Sequence, residues 1–196
     1  MKIRCLAFDQ SVTQSGWCVV DGPPAYMAGL KFGSFESNPR DEHLNDDQQF
    51  DRFGENIFRL RRIYKPDFIA WERAKRQISR YAKGGGDLLG PAASGTTVNA
   101  AQLKLPELQG MLRGLARGKR LPYLAIDPKT WRKGILGNGN LSTAKAKSEA
   151  MIYCRRLGIP INNHNEAEAV CVGLFAVTTI EFRAARDEAE AKRAAA

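Results

Sequence analysis

The sequence predicts an α/β protein with a mixed five-stranded sheet flanked by helices. Two observations favour this fold class: three short apolar runs separated by turn residues come first, and apolar runs alternate with helical periodicities afterwards. The first pattern predicts an antiparallel meander, and the second predicts parallel strands joined by helical crossovers. With 196 residues and 43% hydrophobic content, the chain can bury one sizeable core. We expect one domain at residues 1–183 and a charged, alanine-rich tail at residues 184–196.

The first third of the chain predicts the meander and the first crossover. Residues 3–8 and 17–20 are apolar runs on either side of a polar turn, which predicts a hairpin. Residues 27–35 predict a third antiparallel strand. Between residues 50 and 65 the apolar side chains recur at helical spacing and stop before a proline, so an amphipathic helix should return the chain to the sheet.

The rest of the chain predicts two more strands, at residues 67–71 and 123–126. Between them lies a glycine-rich stretch, residues 83–95, which predicts a mobile loop. Three helices complete the pattern: one has Pro106 near its first turn, one is capped by Ser142 and ends near Arg156, and one extends from about Glu166 to Arg183.

Three acidic residues stand where a strand ends or where a helix meets the sheet. Asp9 ends the first strand, Glu72 ends the fourth, and Glu168 lies early on the last long helix, between two alanines that would allow close packing. If the first and fourth strands are neighbours, these carboxylates converge on one cleft. Three carboxylates can hold two Mg²⁺ or Mn²⁺ ions, because hard divalent cations take oxygen ligands. Two-metal sites hydrolyse phosphodiesters, so the pattern favours a metal-dependent nuclease.

Positive charge is concentrated in the middle of the chain. The net charge is +9 and the isoelectric point is about 9.6, yet residues 73–147 contain fifteen Lys or Arg and only three Asp or Glu. A basic region of this kind favours a polyanionic partner such as DNA. We expect eight of its side chains to bind the DNA backbone rather than its sequence: Arg73, Lys75, Arg76, Arg80, Arg132, Lys133, Lys145 and Lys147.

The four cysteines, Cys5, Cys18, Cys154 and Cys171, lie in apolar runs without metal-binding spacing. We expect them to be small buried hydrophobic side chains. No stretch approaches the roughly 18 consecutive apolar residues of a membrane span, and the first residues lack the basic-then-apolar pattern of a secretory signal. A cytoplasmic protein without membrane contact is therefore expected.

Four motifs contain most of these polar residues: LAFDQS at residues 6–11, IAWE at residues 69–72, DPKTWRK at residues 127–133 and NEAEA at residues 165–169. In this order they resemble the motifs of the RuvC-like Holliday junction resolvases of bacteria and phages, and the resemblance covers nearly the whole chain. It implies an RNase H-like (RuvC-like) fold with two Mg²⁺ or Mn²⁺ ions in each active site. It also implies a homodimer that cuts four-way (Holliday) DNA junctions, since symmetric cutting needs two sites related by a two-fold axis.

The last motif is where the chain departs from the family pattern. The family usually places two acidic or histidine residues three positions apart, and this chain has Asn165 and Glu168 there. Glu166 could substitute for Asn165, but residues two apart on a regular helix point about 200° away from each other. Glu166 and Glu168 would therefore share a metal only if the helix begins between them. His164, four residues before Glu168, is another candidate, so the fourth ligand stays open.

The basic segment of the third motif implies contacts beside the reaction site. Arg132, Lys133, Lys145 and Lys147 flank a glycine-rich turn at residues 137–139, which lets backbone amides and cations approach phosphates together. Family members place basic residues beside the scissile phosphate, and Arg132 or Lys133, together with Lys145, match those positions. The structural alternative is a solvated basic helix.

Three other functions are compatible with parts of this pattern. A broader structure-specific nuclease would cut forks and other branched DNA as readily as four-way junctions. A non-catalytic junction-binding protein would have lost a ligand, for which Asn165 is the one hint. Sugar kinases and actin-like ATPases also begin with an acid-bearing hairpin, but they need two such domains, and the basic charge disfavours them.

Overall fold

In a computed structural model, which describes residues 3–22, 29–39, 41–74, 80–82, 96–98 and 100–195, the chain begins with three strands and ends with four helices, and two further helices lie between strands. The strands are β1 (Arg4–Asp9), β2 (Gln14–Asp21), β3 (Lys31–Glu36), β4 (Phe68–Glu72), β5 (Arg80–Ala82), β6 (Thr96–Val98) and β7 (Tyr123–Ile126). The helices are α1 (Asp46–Tyr64), α2 (Ala100–Gly118), α3 (Pro128–Leu136), α4 (Thr143–Arg156), α5 (His164–Ala176) and α6 (Ile180–Ala194). Within these described ranges, no helix is long and apolar enough to cross a lipid bilayer.

Five of the strands form one mixed sheet in the order β3-β2-β1-β4-β7. β1, β2 and β3 run antiparallel, whereas β4 pairs in parallel with both β1 and β7. The predicted mixed five-stranded sheet with an antiparallel start and parallel crossovers is confirmed. β5 and β6 form a separate two-stranded ribbon.

One face of the sheet is covered by α5, a helix that is buried along almost its whole length. Glycines allow its close approach: a Cβ at Gly16 would lie 1.9 Å from the carbonyl oxygen of Asn165, and a Cβ at Gly173 would lie 2.3 Å from the Sγ atom of Cys18. No larger residue fits at either position without movement of the backbone or the core. α5 therefore lies directly against β1 and β2, and this contact places Glu168 over the sheet.

Small side chains line the part of this face that α5 crosses, and the large side chains of Phe68, Trp131 and Phe182 complete the same core. The core there includes Ala7 and Ala70 from the strands. It also contains four fully buried cysteines that form no disulfide: Cys5, Cys18, Cys154 and Cys171. The expectation that the cysteines act as small buried hydrophobic groups is confirmed.

The opposite face of the sheet is covered by α1 and α2. Its core contains large side chains, among them the fully buried Phe8, Phe53 and Trp71. α1 begins with a capping box, in which the side chains of Asn45 and Gln48 each accept a hydrogen bond from the other residue's main-chain N–H. This local signal fixes where the first crossover starts.

α3 corrects the sequence analysis, which expected no helix between the fifth strand of the sheet and Ser142. The Asp127 side chain caps α3 by accepting a hydrogen bond from the main-chain N–H of Lys129, and Pro128 occupies the first turn. Gly137 ends the helix in the left-handed conformation, with φ of 78°. The stop and start signals were therefore present in the sequence, and Arg132 and Lys133 belong to a helix that ends at the glycine-rich turn they were expected to flank.

The helix predicted from about residue 166 to residue 183 is divided into α5 and α6. The division occurs because the Thr179 side chain caps a new helix by accepting a hydrogen bond from the main-chain N–H of Phe182. α6 continues without interruption past residue 183, where the sequence analysis separated domain from tail. Ala185 and Ala189 of α6 pack against the core.

Two smaller differences concern where elements begin, and a third is a strand pair beside the predicted loop. β3 begins at Lys31 rather than at residue 27, because its pairing with β2 starts there. α2 begins six residues before Pro106, so that proline lies inside the helix and removes one main-chain hydrogen bond. β5 and β6 stand on either side of the predicted glycine-rich loop, residues 83–95, which lies outside the described residues.

Candidate active site

Asp9 and Glu72 end neighbouring parallel strands. Phe8 of β1 is paired with Trp71 of β4, so the next residue on each strand leaves the sheet beside the other. Side chains alternate between the two faces of a strand. Because Phe8 and Trp71 belong to the core under α1 and α2, Asp9 and Glu72 belong to the opposite face, which α5 covers. The sheet order thus brings two carboxylates together at one end of the sheet.

Glu168 adds a third carboxylate from α5. It is 3% exposed, and burial followed by the negative charge of Glu72 raises its pKa to about 7. Burial also raises the pKa of Asp9 well above its ordinary value, and the charges of Glu168 and Glu72 raise it further. Glu72 and Glu168 each lie 3.9 Å from the same atom of Arg132, and Asp9 ends the strand beside Glu72, so the three predicted acids share one cleft.

Arg132 lies between two of these carboxylates. Its Nη2 atom is 3.9 Å from Oε2 of Glu72 and 3.9 Å from Oε1 of Glu168. Arg132 is 9% exposed, and its Nε atom is buried without a hydrogen-bond partner among the described residues. The positive charges of Lys147 and Arg132 lower the pKa of Asp9 and of Glu168 and so oppose the repulsion between the acids.

Three side chains that the sequence analysis did not assign to the site hold Glu72 in place. The indole Nε1 of Trp131 donates a hydrogen bond of 2.6 Å to Oε2 of Glu72. The side-chain amides of Gln10 and Gln109 donate to the main-chain carbonyl of Glu72, at 2.5 and 3.0 Å. Gln10 follows Asp9 directly, which was a usable signal. Trp131 and Gln109 come from α3 and α2, so only the tertiary structure identifies them.

The two polar candidates at the start of α5 have different partners. The Asn165 amide donates to Oε1 of Gln14, at 2.8 Å, which ties it to the start of β2. The Glu166 carboxylate accepts hydrogen bonds from the main-chain N–H of Asn162, at 2.8 Å, and from the Ser34 hydroxyl, at 3.3 Å. Glu166 is therefore engaged with its own helix start and with β3, whereas Asn165 is engaged with the turn that follows Asp9.

The structure brings Arg132 and Lys147, two of the eight predicted DNA-binding residues, to the carboxylates. Arg73 is exposed one position beyond Glu72, and its Nη2 donates to the Ala125 carbonyl at 2.9 Å. The other five are placed as follows: Lys133 and Lys145 are exposed on α3 and α4, Arg80 begins β5, and Lys75 and Arg76 lie outside the described residues.

A basic cavity adjoins the carboxylates on the α3 side. It has a volume of about 730 Å³, and its lining includes Arg73, Lys129 and Arg132 together with Ser142, the residue that caps α4. The single acid in the lining is the one that caps α3. Main-chain N–H groups at a helix start and nearby cations both attract anions, so this cavity suits a phosphate group.

A second cavity adjoins the turn that follows Asp9. It has a volume of about 670 Å³, and its lining includes Ser11, Lys147, His164 and Asn165. Partial burial, and then the charge of Lys147, lower the pKa of His164. His164 therefore lies on the wall of this cavity, near the cation that also acts on the carboxylates.

The fit of the carboxylates to a divalent cation is good in chemistry but incomplete in spacing. Among the described residues, no group of three or more His, Cys, Asp or Glu side chains is already placed to hold a metal ion. Asp9, Glu72 and Glu168 offer the oxygen donors that Mg²⁺ and Mn²⁺ prefer. A bound cation would also relieve the repulsion between the ionised carboxylates that raises the pKa of Asp9 and of Glu168. Holding a cation would require these three side chains to draw together, with Arg132 no longer between two of them.

Comparison with known proteins identifies the fold. No protein-family model matches the sequence, and no curated protein sequence matches it significantly. RuvC of Thermus thermophilus aligns with a TM-score of 0.56 and 16% identity, covering 88% of this chain and 92% of that chain. T. thermophilus RuvC in complex with a Holliday junction substrate gives 0.59 and 14%, covering 88% and 91%.

The yeast mitochondrial Holliday junction resolvase Ydc2 also aligns, with a TM-score of 0.52 and 13% identity, covering 95% of this chain and 82% of that chain. These identities are too low to transfer an activity, but the alignments cover most of each chain. Together with the sheet order, they show that this chain has the RuvC-like, RNase H-like fold that its motifs predicted.

Proposed function

We propose that this protein is a metal-dependent endonuclease that cuts branched DNA, four-way junctions in particular. The observation that carries the proposal is that Asp9, Glu72 and Glu168 lie in one cleft, although they come from three separate elements of a RuvC-like fold. Arg132 and Lys147 lie beside these carboxylates. Buried acids with raised pKa, clustered beside cations in a cleft, are typical of functional sites.

Asp9, Glu72 and Glu168 would hold two Mg²⁺ or Mn²⁺ ions. When bound, two such ions supply an activated water and stabilise the leaving oxygen of a phosphodiester. The protein's own contribution is to hold the three carboxylates in a place with little bulk water. Asn165 is the fourth ligand that we propose, because its side chain bonds to Gln14 beside the turn that follows Asp9, whereas the Glu166 side chain bonds to Asn162 and to Ser34 of β3.

The cations around the cleft would hold the DNA backbone. Arg73, Lys129 and Arg132 line the basic cavity on one side, and Lys147 lines the second cavity on the other. Each phosphate that these side chains neutralise releases counterions, so binding should weaken steeply with salt. Backbone contacts of this kind recognise the shape of DNA rather than its sequence.

Branched DNA and a homodimer are the finer parts of the proposal. One of the similar structures is RuvC in complex with a Holliday junction substrate, and another is a Holliday junction resolvase. A four-way junction has two equivalent strands to cut, so paired cuts call for two active sites related by a two-fold axis. We therefore propose a homodimer. The cytoplasmic location that the sequence predicts is kept as part of the proposal.

The test is a cleavage assay with labelled four-way, forked and linear DNA, in Mg²⁺ and in EDTA. Three proteins are compared: the wild type, Asp9→Asn, and Asp51→Asn as a matched control on the exposed side of α1. We expect paired symmetric cuts in the four-way substrate by the wild type and by Asp51→Asn. Asp9→Asn and EDTA should remove the cuts, because both disrupt the same cation site.

Two other outcomes would change the assignment. Equal cutting of forks and four-way junctions would favour the broader structure-specific nuclease. Tight binding of junctions by the wild type without cutting under any metal would overturn the catalytic proposal and favour a junction-binding protein.

A further inference from the structure

Glu72 is fixed by neutral hydrogen-bond donors at both its main chain and its side chain. Gln10 and Gln109 donate to its carbonyl oxygen, and Trp131 donates to its Oε2 atom. Both glutamines are 7% exposed, and Trp131 is fully buried. The starting point and the direction of the Glu72 side chain are thus both set by groups from which water is excluded.

The hydrogen bond from Trp131 differs in kind from the contact with Arg132. At 2.6 Å it joins a neutral donor to a carboxylate oxygen, and bonds to ionised acceptors are the stronger class. An indole N–H donates at every pH and carries no charge. Trp131 can therefore orient Glu72 without neutralising it, whereas the Arg132 guanidinium, 3.9 Å away, competes with any cation that Glu72 would bind.

We infer that Trp131 is a positioning residue for metal binding: its indole N–H fixes one oxygen of Glu72 and thereby sets how that carboxylate meets a divalent cation. This inference rests on the proposed function, because it gives Trp131 a task at the proposed metal site. Outer groups that orient metal ligands typically change metal affinity or activity roughly 10–100-fold when they are removed.

The chain supplies a matched control in Trp71. Trp71 is also fully buried and directly precedes Glu72. Its ring stacks on Tyr123, with centroids 5.2 Å apart, and its Nε1 atom is buried without a hydrogen-bond partner among the described residues. Replacing Trp71 by Phe removes the same atoms as replacing Trp131 by Phe, but no hydrogen bond to Glu72.

The experiment uses the full chain with Trp131→Phe or Trp71→Phe. Mn²⁺ binding to the protein without DNA is measured by calorimetry, and the Mg²⁺ concentration for half-maximal junction cleavage is measured separately. Trp131→Phe should raise the Kd for Mn²⁺ and the half-maximal Mg²⁺ concentration roughly 10–100-fold each. Junction binding in EDTA should stay unchanged. Trp71→Phe should leave both metal dependences at the wild-type level.

A second substitution separates the lost hydrogen bond from altered packing. Benzothienylalanine in place of Trp131 keeps the bicyclic shape and puts a sulfur atom where the N–H was. Its metal dependence should match that of Trp131→Phe, while its thermal unfolding should match that of the wild type. This protein keeps the test decisive even if Trp131→Phe folds poorly.

Two results would overturn the inference. One is an equal loss of Mn²⁺ affinity in Trp131→Phe and Trp71→Phe, which would assign the effect to packing. The other is wild-type Mn²⁺ affinity in the benzothienylalanine protein. Failure of the proposed function has a different signature, because the wild type itself would then bind no Mn²⁺ at the carboxylates or cut no DNA, and that result overturns both.

Discussion

The two faces of the central sheet are both buried, but they are built from different side chains. The face under α1 and α2 contains large apolar groups such as Phe8, Phe53 and Trp71. The face under α5 contains small ones such as Ala7 and Ala70 and the buried cysteines where the helix crosses the strands, although Phe68, Trp131 and Phe182 are buried in the same cluster. Large apolar groups provide most of the stabilisation that burial can give. Small ones let a helix come close to the strands.

In this fold, stability and the geometry of the site depend on different faces of the sheet. Close approach of α5 brings Glu168 to Asp9 and Glu72. Burial, and then the repulsion between these acids, raises the pKa of Glu168 and of Asp9, so their ionised forms oppose folding. The apolar packing on the other face offsets that cost at a distance from the site. A change on the face under α1 and α2 should therefore lower stability and leave activity unchanged. A change at the carboxylates on the α5 face should remove activity and leave stability unchanged or higher.

Two variants, one on each face, test whether stability and activity depend on different faces, and the first has the largest expected effect. Ile57 of α1 is fully buried on the large-residue face. Ile57→Ala should lower the free energy of unfolding by roughly 2–5 kcal/mol through lost burial and a cavity. Junction cleavage should stay at the wild-type rate wherever the variant is folded, because α1 supplies none of the residues assigned to the site. Urea unfolding and cleavage rates measure the two effects.

The matched change on the α5 face is Glu168→Gln. Cleavage should disappear, while the free energy of unfolding should not fall, because a neutral amide replaces a carboxylate whose ionised form is disfavoured by burial and by the charge of Glu72 more than Lys147 and Arg132 favour it. A folded Ile57→Ala protein that cuts poorly, or a Glu168→Gln protein that cuts normally, would show that the two faces are not independent.

The second largest expected effect is a pH dependence of stability that originates on the α5 face. The pKa of Glu168 rises from an ordinary 4.5 to about 7 in the folded protein, so the folded state keeps a proton that the unfolded chain has released. The free energy of unfolding should therefore fall by roughly 3 kcal/mol from this residue as pH rises from about 4.5 to about 7. Urea unfolding without metal at both ends of this range measures the fall.

Glu168→Gln is the control for this titration, since its unfolding should lack the part of the pH dependence that Glu168 contributes. Mg²⁺ should also reduce the fall in the wild type, because a cation binds the ionised carboxylate. An equal pH dependence in both proteins would mean that Glu168 does not carry the titration.

The elements of the sheet could be predicted from sequence because their signals are local. A strand that ends in an acid, as at Asp9 and at Glu72, can be recognised from the chain alone, and the order of strands and crossovers makes those two strands neighbours. The caps of α3, Asp127 and Gly137, were equally local. They were missed because the basic residues between them were interpreted by charge rather than by helix signals.

The rest of the site depends on tertiary contacts that no spacing encodes. Nothing in the sequence distinguishes Trp131, whose N–H meets Glu72, from Trp71, whose N–H is buried without a partner among the described residues. The position of Arg132 between two acids likewise depends on where α3 packs. Glu166 was an open candidate because its partner Ser34 lies far away in the chain.

The smallest expected effect tests whether the close approach of α5 sets the site. Gly16 is paired with Asp9 across β1 and β2, and a Cβ there would lie 1.9 Å from the Asn165 carbonyl oxygen. Because the obstacle is backbone, Gly16→Ala should displace the start of α5, lower the free energy of unfolding by roughly 1–3 kcal/mol and reduce cleavage. Urea unfolding and junction cleavage measure both.

The control is Gly114→Ala on the exposed side of α2, where a Cβ would meet no atom within 4 Å. Alanine is a better helix former than glycine, so this variant should gain about 0.5–1 kcal/mol in unfolding free energy and cut at the wild-type rate. Normal cleavage by Gly16→Ala would mean that α5 can shift without separating Glu168 from Asp9. The small residues of that face would then serve packing alone, and the position of Glu168 would not depend on how closely α5 approaches β2.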